Sequence, residues 1–217
     1  MLAEDQKDLI AIQNMATAFL NLGQYNDVLL CCERVFEQNE LDEYAIKNKI
    51  LALEMLGRHD EIVSFCDKIL SRDPHNTWII NSKGLALNEL GQHDSAIQCY
   101  DQTLNIEQNN VTALLNKALT LSFLQKYSEA IPYYDRAQQQ EKITKASAGK
   151  SAAYQKLGKA DEAFLAAQGL LVDDIERLIL EARAKKMKVF DYYCMLEYND
   201  LERREQAHQE KMNSKLK

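Results

Sequence analysis

Prolines number two and glycines seven in 217 residues. Little therefore interrupts a helix, and folds that depend on frequent Gly and Pro turns are disfavoured. No apolar run reaches the roughly 18 residues that a membrane-spanning helix needs. The opening Met1-Leu2-Ala3-Glu4-Asp5 lacks the basic start and apolar stretch of a secretory signal. The five cysteines, Cys31, Cys32, Cys66, Cys99 and Cys194, contain no CxxC pair and no metal-ligand spacing. Free thiols in a reducing, cytoplasmic setting are expected, with no metal and no cofactor. Basic residues are outnumbered 26 to 33, a net charge of −7, which argues against general affinity for nucleic acid or an anionic membrane surface. The deficit is uneven: residues 177–217 carry ten basic and seven acidic side chains, which leaves the preceding chain at −10.

What is present is a repeat. Leu22-Gly23-Gln24-Tyr25, Leu56-Gly57-Arg58-His59 and Leu90-Gly91-Gln92-His93 recur every 34 residues, followed by Leu124-Gln125-Lys126-Tyr127 at the same interval and Leu157-Gly158-Lys159-Ala160 at 33. Five repeats result, 9–42, 43–76, 77–110, 111–143 and 144–176, after a lead-in over 1–8. In each, the eighth place (Ala16, Ile50, Gly84, Ala118, Ser151) and the twentieth (Val28, Ile62, Ala96, Ala130, Ala163) are mostly small, as two closely approaching helices require. The eleventh place (Phe19, Leu53, Leu87, Leu121, Tyr154) and the leucine at the fourteenth have the three-residue spacing of one buried helical face.

Glycine near the middle of the repeat ends one helix, and Asn26, Asp60, Asp94, Ser128 and Asp161, three residues on, have the chemistry of N-caps for the next. Each repeat thus reads as helix, tight turn, helix. Pro132, four residues past Ser128, predicts a bend or a loosened turn. Residues 177–217 keep helical composition, with Ile175, Leu178, Ile179, Ala182, Phe190, Tyr193 and Cys194 on an apolar stripe and a polar tail from Asn199, where a separate short helix can start.

The 34-residue period and the order of small, aromatic and Gly places resemble those of tetratricopeptide repeats (TPRs), over 9–176. The resemblance implies an all-α, right-handed superhelical solenoid of antiparallel helix pairs, closed by a C-terminal capping helix. It also implies a non-catalytic interaction module or scaffold, whose concave groove takes an extended peptide or a helix of a partner protein. First helices line that groove. Tyr44 and Trp78, 34 residues apart, are candidate apolar anchors. Lys47, Asn81, Asn48 and Asn116 offer polar contacts to a peptide backbone, and Leu51, Leu85 and Leu119 form an apolar floor. Tyr44, Trp78, Asn48 and Asn116 have a second reading, as packing between neighbouring helices.

One TPR subfamily holds an acidic C-terminal peptide in a two-carboxylate clamp. Lys47, Leu51, Ser82, Thr112 and Asn116 keep one of its five positions, and Asn81, Leu85, Asn116, Lys145 and Gly149 two, so a carboxylate terminus is not the expected ligand. The string Thr144-Lys145-Ala146-Ser147-Ala148-Gly149-Lys150-Ser151 ends like a phosphate loop, but it lacks the first Gly and sits where a repeat helix is expected. No combination of His, Cys and carboxylate suggests catalysis. Alternatives are an assembly subunit whose groove is filled by its own tail or by another copy, with self-association through the C-terminal region, and the targeting part of an enzyme complex.

Overall fold

The computed structural model describes residues 2–140 and 144–215, and every element in them is helical. In chain order these are α1 (Leu2–Asn21), α2 (Tyr25–Phe36), α3 (Glu43–Met55), α4 (His59–Leu70), α5 (Thr77–Glu89) and α6 (His93–Ile106). They are followed by α7 (Val111–Phe123), α8 (Tyr127–Gln140), α9 (Thr144–Lys156), α10 (Ala160–Ala167), α11 (Val172–Ala184) and α12 (Val189–Lys215). The expected handover from the fourth to the fifth repeat, at residue 143, lies outside the described residues. Among the described residues no helix is long and apolar enough to cross a membrane. The chain divides into two compact parts, one ending at Thr120 and one starting at Leu121.

The tight turns follow one hydrogen-bond scheme. Gly57 donates its N–H to the Glu54 carbonyl and Arg58 to that of Leu53, both at 2.9 Å, which closes α3 in a Schellman motif and requires a left-handed residue between. Gly57 meets that requirement with φ of 68°. The fourth turn repeats the geometry without glycine, Gln125 standing at φ 61°, a conformation that costs an L-residue about 1–2 kcal/mol. Gln125→Gly is therefore expected to raise the midpoint of thermal unfolding, while Gly57→Ala lowers it.

This turn overturns one expectation from the sequence. Second helices start at Tyr25, His59, His93, Tyr127 and Ala160, so Asn26, Asp60, Asp94, Ser128 and Asp161 lie inside the first turn and do not cap it. The residues before α2, α4, α6 and α10 are Gln24, Arg58, Gln92 and Lys159, none with a side-chain capping bond. The cause is the shortness of the turn: one residue both completes the Schellman motif and opens the next helix. The acidic groups inside instead face the positive end of the helix dipole. Side-chain caps occur at the first helices, where Asp42 accepts from the N–H of Ala45, Asn76 from Ile79 and Asn110 from Ala113.

The small places at eight and twenty are buried throughout. A Cβ on Gly84 would stand 2.7 Å from the Tyr100 ring, which shows why nothing larger fits. Ile50 and Ile62, the two bulky exceptions, share one cluster with Leu53, Cys66 and Ile79. The fourteenth-place leucines depart from expectation: Leu22, Leu90 and Leu157 are exposed, and Leu56 and Leu124 are half-buried. They sit where the helix ends and the chain turns away, beyond the reach of the neighbouring helix. Cys31, Cys32, Cys66 and Cys99 are buried thiols. Burial pushes Cys32 and Cys66 up to about 12, which leaves them protonated and inert at neutral pH.

A further regularity lies between repeats. Lys49 pairs with Glu33, Lys83 with Asp67, Lys117 with Asp101 and Lys150 with Asp135. Each lysine holds the seventh place of its repeat and each acid the twenty-fifth of the repeat before. The first repeat, which has none before it here, carries Met15 at that place. The last pair is buried: Lys150 Nζ lies 2.5 Å from Asp135 Oδ1 and 2.7 Å from the Leu170 carbonyl. The N–H of Val172 donates to the same Asp135 oxygen at 2.9 Å. The apparent phosphate-loop lysine is thus a tie from α9 to α8 and to the turn before α11.

In the second part, α8 runs through Pro132 without interruption. Beyond the repeats the helix breaks at 185–188, where Lys186 adopts φ of 55°, and α12 then continues past Asn199, where a separate helix was expected to start. Ile175, Leu178, Ile179 and Ala182 of α11 and Val189 and Tyr192 of α12 pack with Tyr154, Ala163, Leu165 and Ala166 of α9 and α10. Tyr193 is half-buried, but Phe190 and Cys194, expected on the same stripe, are exposed. Phe190 nonetheless sets one side of its ring on Phe164, with ring centroids 5.2 Å apart, at the edge of this cluster.

Candidate functional site

Three first helices of the first part, α3, α5 and α7, bound a groove of about 470 Å³. Of the residues singled out in the sequence, Lys47, Asn48 and Leu51 from α3, Trp78, Asn81 and Leu85 from α5 and Asn116 from α7 line it. Tyr44 and Leu119 do not. The Tyr44 hydroxyl donates to the Gln13 carbonyl at 2.9 Å and meets the Thr17 hydroxyl, so its ring ties α3 to α1. Leu119 is half-buried on α7. Trp78 is 41% and Leu51 42% exposed, which leaves much of their apolar surface open to a ligand.

Asn81 is oriented by the cap beneath it. Asn110 Oδ1 accepts from the Ala113 N–H, and its Nδ2 donates to Glu107 at 2.7 Å. That leaves Asn110 Oδ1 as the acceptor for Asn81 Nδ2, at 3.3 Å. Asn81 Oδ1 is then left buried and without a partner. On α3, Asn48 Nδ2 is likewise buried and unpartnered. The two residues are only 6% and 9% exposed, and an unmet buried polar group costs about 1–3 kcal/mol. One groove thus holds an unpartnered donor on α3 and an unpartnered acceptor on α5, the pair that the N–H and C=O of one extended residue complete.

Lys47 lies 3.6 Å from Glu43 and 5.9 Å from the Trp78 ring centroid, a distance at which a cation still feels the ring. Three ionisable residues outside the nine singled out also line it: His59, Glu54 and Glu89. The buried Nδ1 of His59 has no partner. Its position at the start of α4, directly after the turn, brings the ring to the groove, and the repeat register was the available signal. Among the described residues no three of His, Cys, Asp and Glu gather as a metal site would need.

Short antiparallel helix pairs joined by Gly-centred turns, at a 34-residue period, define a tetratricopeptide-repeat protein. The chain belongs to the family described as "Psidin, N-terminal TPR repeats region", whose model matches residues 16–127, just over half of the sequence. No curated protein matches it. Among solved structures it is similar to MamA, as the RS-1 ArsTM double mutant, at 16% identity over 78% of this chain and 94% of that one, with a TM-score of 0.64. It is similar to MamA MSR-1 at 15% identity, over 78% and 97% of the two chains, TM-score 0.57. A third is TTC0263, a thermophilic TPR protein in Thermus thermophilus, at 17% identity over 81% and 99%, TM-score 0.60. At these identities the likeness concerns the fold. Family and fold together suggest a protein-interaction module, in a class whose members are generally non-catalytic.

Proposed function

We propose that the groove of α3, α5 and α7 binds an extended segment of a partner protein without catalysing a reaction on it. The observation that carries this reading is the pairing of two buried, unpartnered amide atoms, Asn48 Nδ2 and Asn81 Oδ1, with the exposed apolar surface of Trp78 and Leu51. The amides match the N–H and C=O of one extended residue, and the apolar surface takes a side chain next to it. A segment bound there recovers the cost of the unmet polar groups and buries the indole. An isolated small apolar ligand would recover only the second.

The partner is to be captured with the intact chain and its binding segment mapped on overlapping peptides. Trp78→Ala is expected to weaken that segment by roughly thirtyfold, about 2 kcal/mol, as truncation of an interface anchor does. Because Trp78 is the only Trp in the chain, its emission reports the event directly. Tyr44→Ala is expected to lower stability more than affinity, since its hydroxyl is engaged with α1. Unchanged affinity in Trp78→Ala, with no shift of Trp78 emission on binding to the parent, would remove the groove from consideration.

A further inference from the structure

We infer that the segment accepted by this groove carries a Lys or Arg beside a bulky apolar residue, with the cation set against Glu54 and Glu89. The inference rests on the peptide-binding reading above and adds the chemistry of the partner. Glu54 lies in the last turn of α3 and Glu89 is the last residue of α5; both are exposed and both line the groove. Neither helix has a basic residue in its last turn, so no side chain of those turns offsets the negative end of the helix dipole. Among the described residues neither carboxylate has a cation partner. The lysine that lines the groove, Lys47, is engaged with Glu43 and the Trp78 ring at the other end of α3. Negative potential therefore collects at one end of the groove, in a chain whose net charge is already −7.

A carboxylate brought to that end would meet two like charges and two helix C-termini. An ammonium or guanidinium would meet the reverse. The cation alone does not suffice, because Lys and Arg side chains only donate, whereas Asn48 Nδ2 needs an acceptor. The peptide carbonyl provides it, and Asn81 Oδ1 takes a peptide N–H. Leu51, Leu85 and Trp78 supply the apolar wall for the neighbouring side chain. The occupant that meets all of these groups is a basic and apolar protein segment in extended form.

The test uses the intact chain and Trp78 emission, titrated with three acetylated and amidated nonapeptides that share a central Leu and differ only in flanking Lys, Gln or Glu. The Lys peptide is expected to bind roughly fivefold more tightly than the Gln peptide, the yield of two half-exposed ion pairs, and the Glu peptide more weakly than either. Added salt should shrink the difference. In the Glu54→Gln, Glu89→Gln double variant the Lys and Gln peptides should bind alike. If the peptides shift Trp78 emission but Glu equals or exceeds Lys, the charge assignment is overturned and the groove reading stands. A Lys preference that survives in the double variant overturns the assignment to these two carboxylates. If no peptide binds and Trp78 emission stays fixed, both readings fall.

Discussion

A chain ending at Asp174 is expected to lose the cooperative unfolding of its second part and to expose apolar surface to a dye such as anilinonaphthalene sulfonate. The deletion removes Ile175, Leu178, Ile179, Ala182, Val189 and Tyr192 from the cluster they form with Tyr154, Ala163, Leu165 and Ala166. All six are less than a tenth exposed. Burying a large apolar side chain contributes about 1.5–3 kcal/mol, so five such residues and one alanine amount to the order of 10 kcal/mol. That is comparable to the entire stability of a typical domain, about 5–15 kcal/mol. Substitution on the outer face gives the control: Leu180, 64% exposed on the same helix, should tolerate Gln with little change. Hydrogen exchange over 121–174 reads the result locally. A truncated chain that stays monomeric and protects those amides as the parent does would show that α11 and α12 are accessories to the core and not part of it.

The repeat made the core legible in the sequence because packing acts through size at fixed places. Gly84, Ala96 and Ala130 are small since a neighbouring helix leaves no room, and an aligned repeat displays that constraint as a column. The left-handed turn was legible for the same reason: one backbone conformation recurs, and glycine marks it four times in five. The caps were misplaced because their chemistry is shared. An Asp or Ser near a helix start suits both the cap and the first turn, and only the length of the preceding turn separates the two. The lysine ladder was also present in the columns, but a lysine reads as solvent-facing until its partner in the preceding repeat is placed beside it.

The groove divides in the same way. The apolar and amide residues follow from helical spacing on the first helices, and seven of the nine singled out line the cavity. Tyr44 does not, because its hydroxyl finds the Gln13 carbonyl on α1, a contact between helices that spacing along one helix does not contain. Glu54, Glu89 and His59 were missed since they lie at helix ends, where the chain is turning and the 3.6-residue pattern no longer specifies a face. Which atom of Asn81 remains unpaired depends on Asn110 and Glu107 beneath it, and no single column of the repeat records that network.

Graded loss of stability along the lysine ladder is the second large effect expected. Asp135→Asn leaves the Lys150 ammonium, fully buried, with the Leu170 carbonyl and a neutral amide in place of its counter-ion. Removing one partner of a buried pair costs about 3–5 kcal/mol. At the other end Glu33 is 58% exposed and its lysine 20%, so water solvates whichever charge is left, and Glu33→Gln should cost about 0–1 kcal/mol. Asp67→Asn belongs with it, while Asp101→Asn falls between, because Lys117 is 9% exposed though its acid is half open. Adding Lys150→Met to Asp135→Asn should restore most of the loss. It removes the stranded charge, while the new amide still accepts from the Val172 N–H that Asp135 now holds at 2.9 Å. Denaturant midpoints of the four single variants and the double variant measure the gradient. Four equal losses, or a double variant no more stable than Asp135→Asn, would mean that burial does not set the strength of these pairs and that the cost at Asp135 comes from the lost cap on Val172.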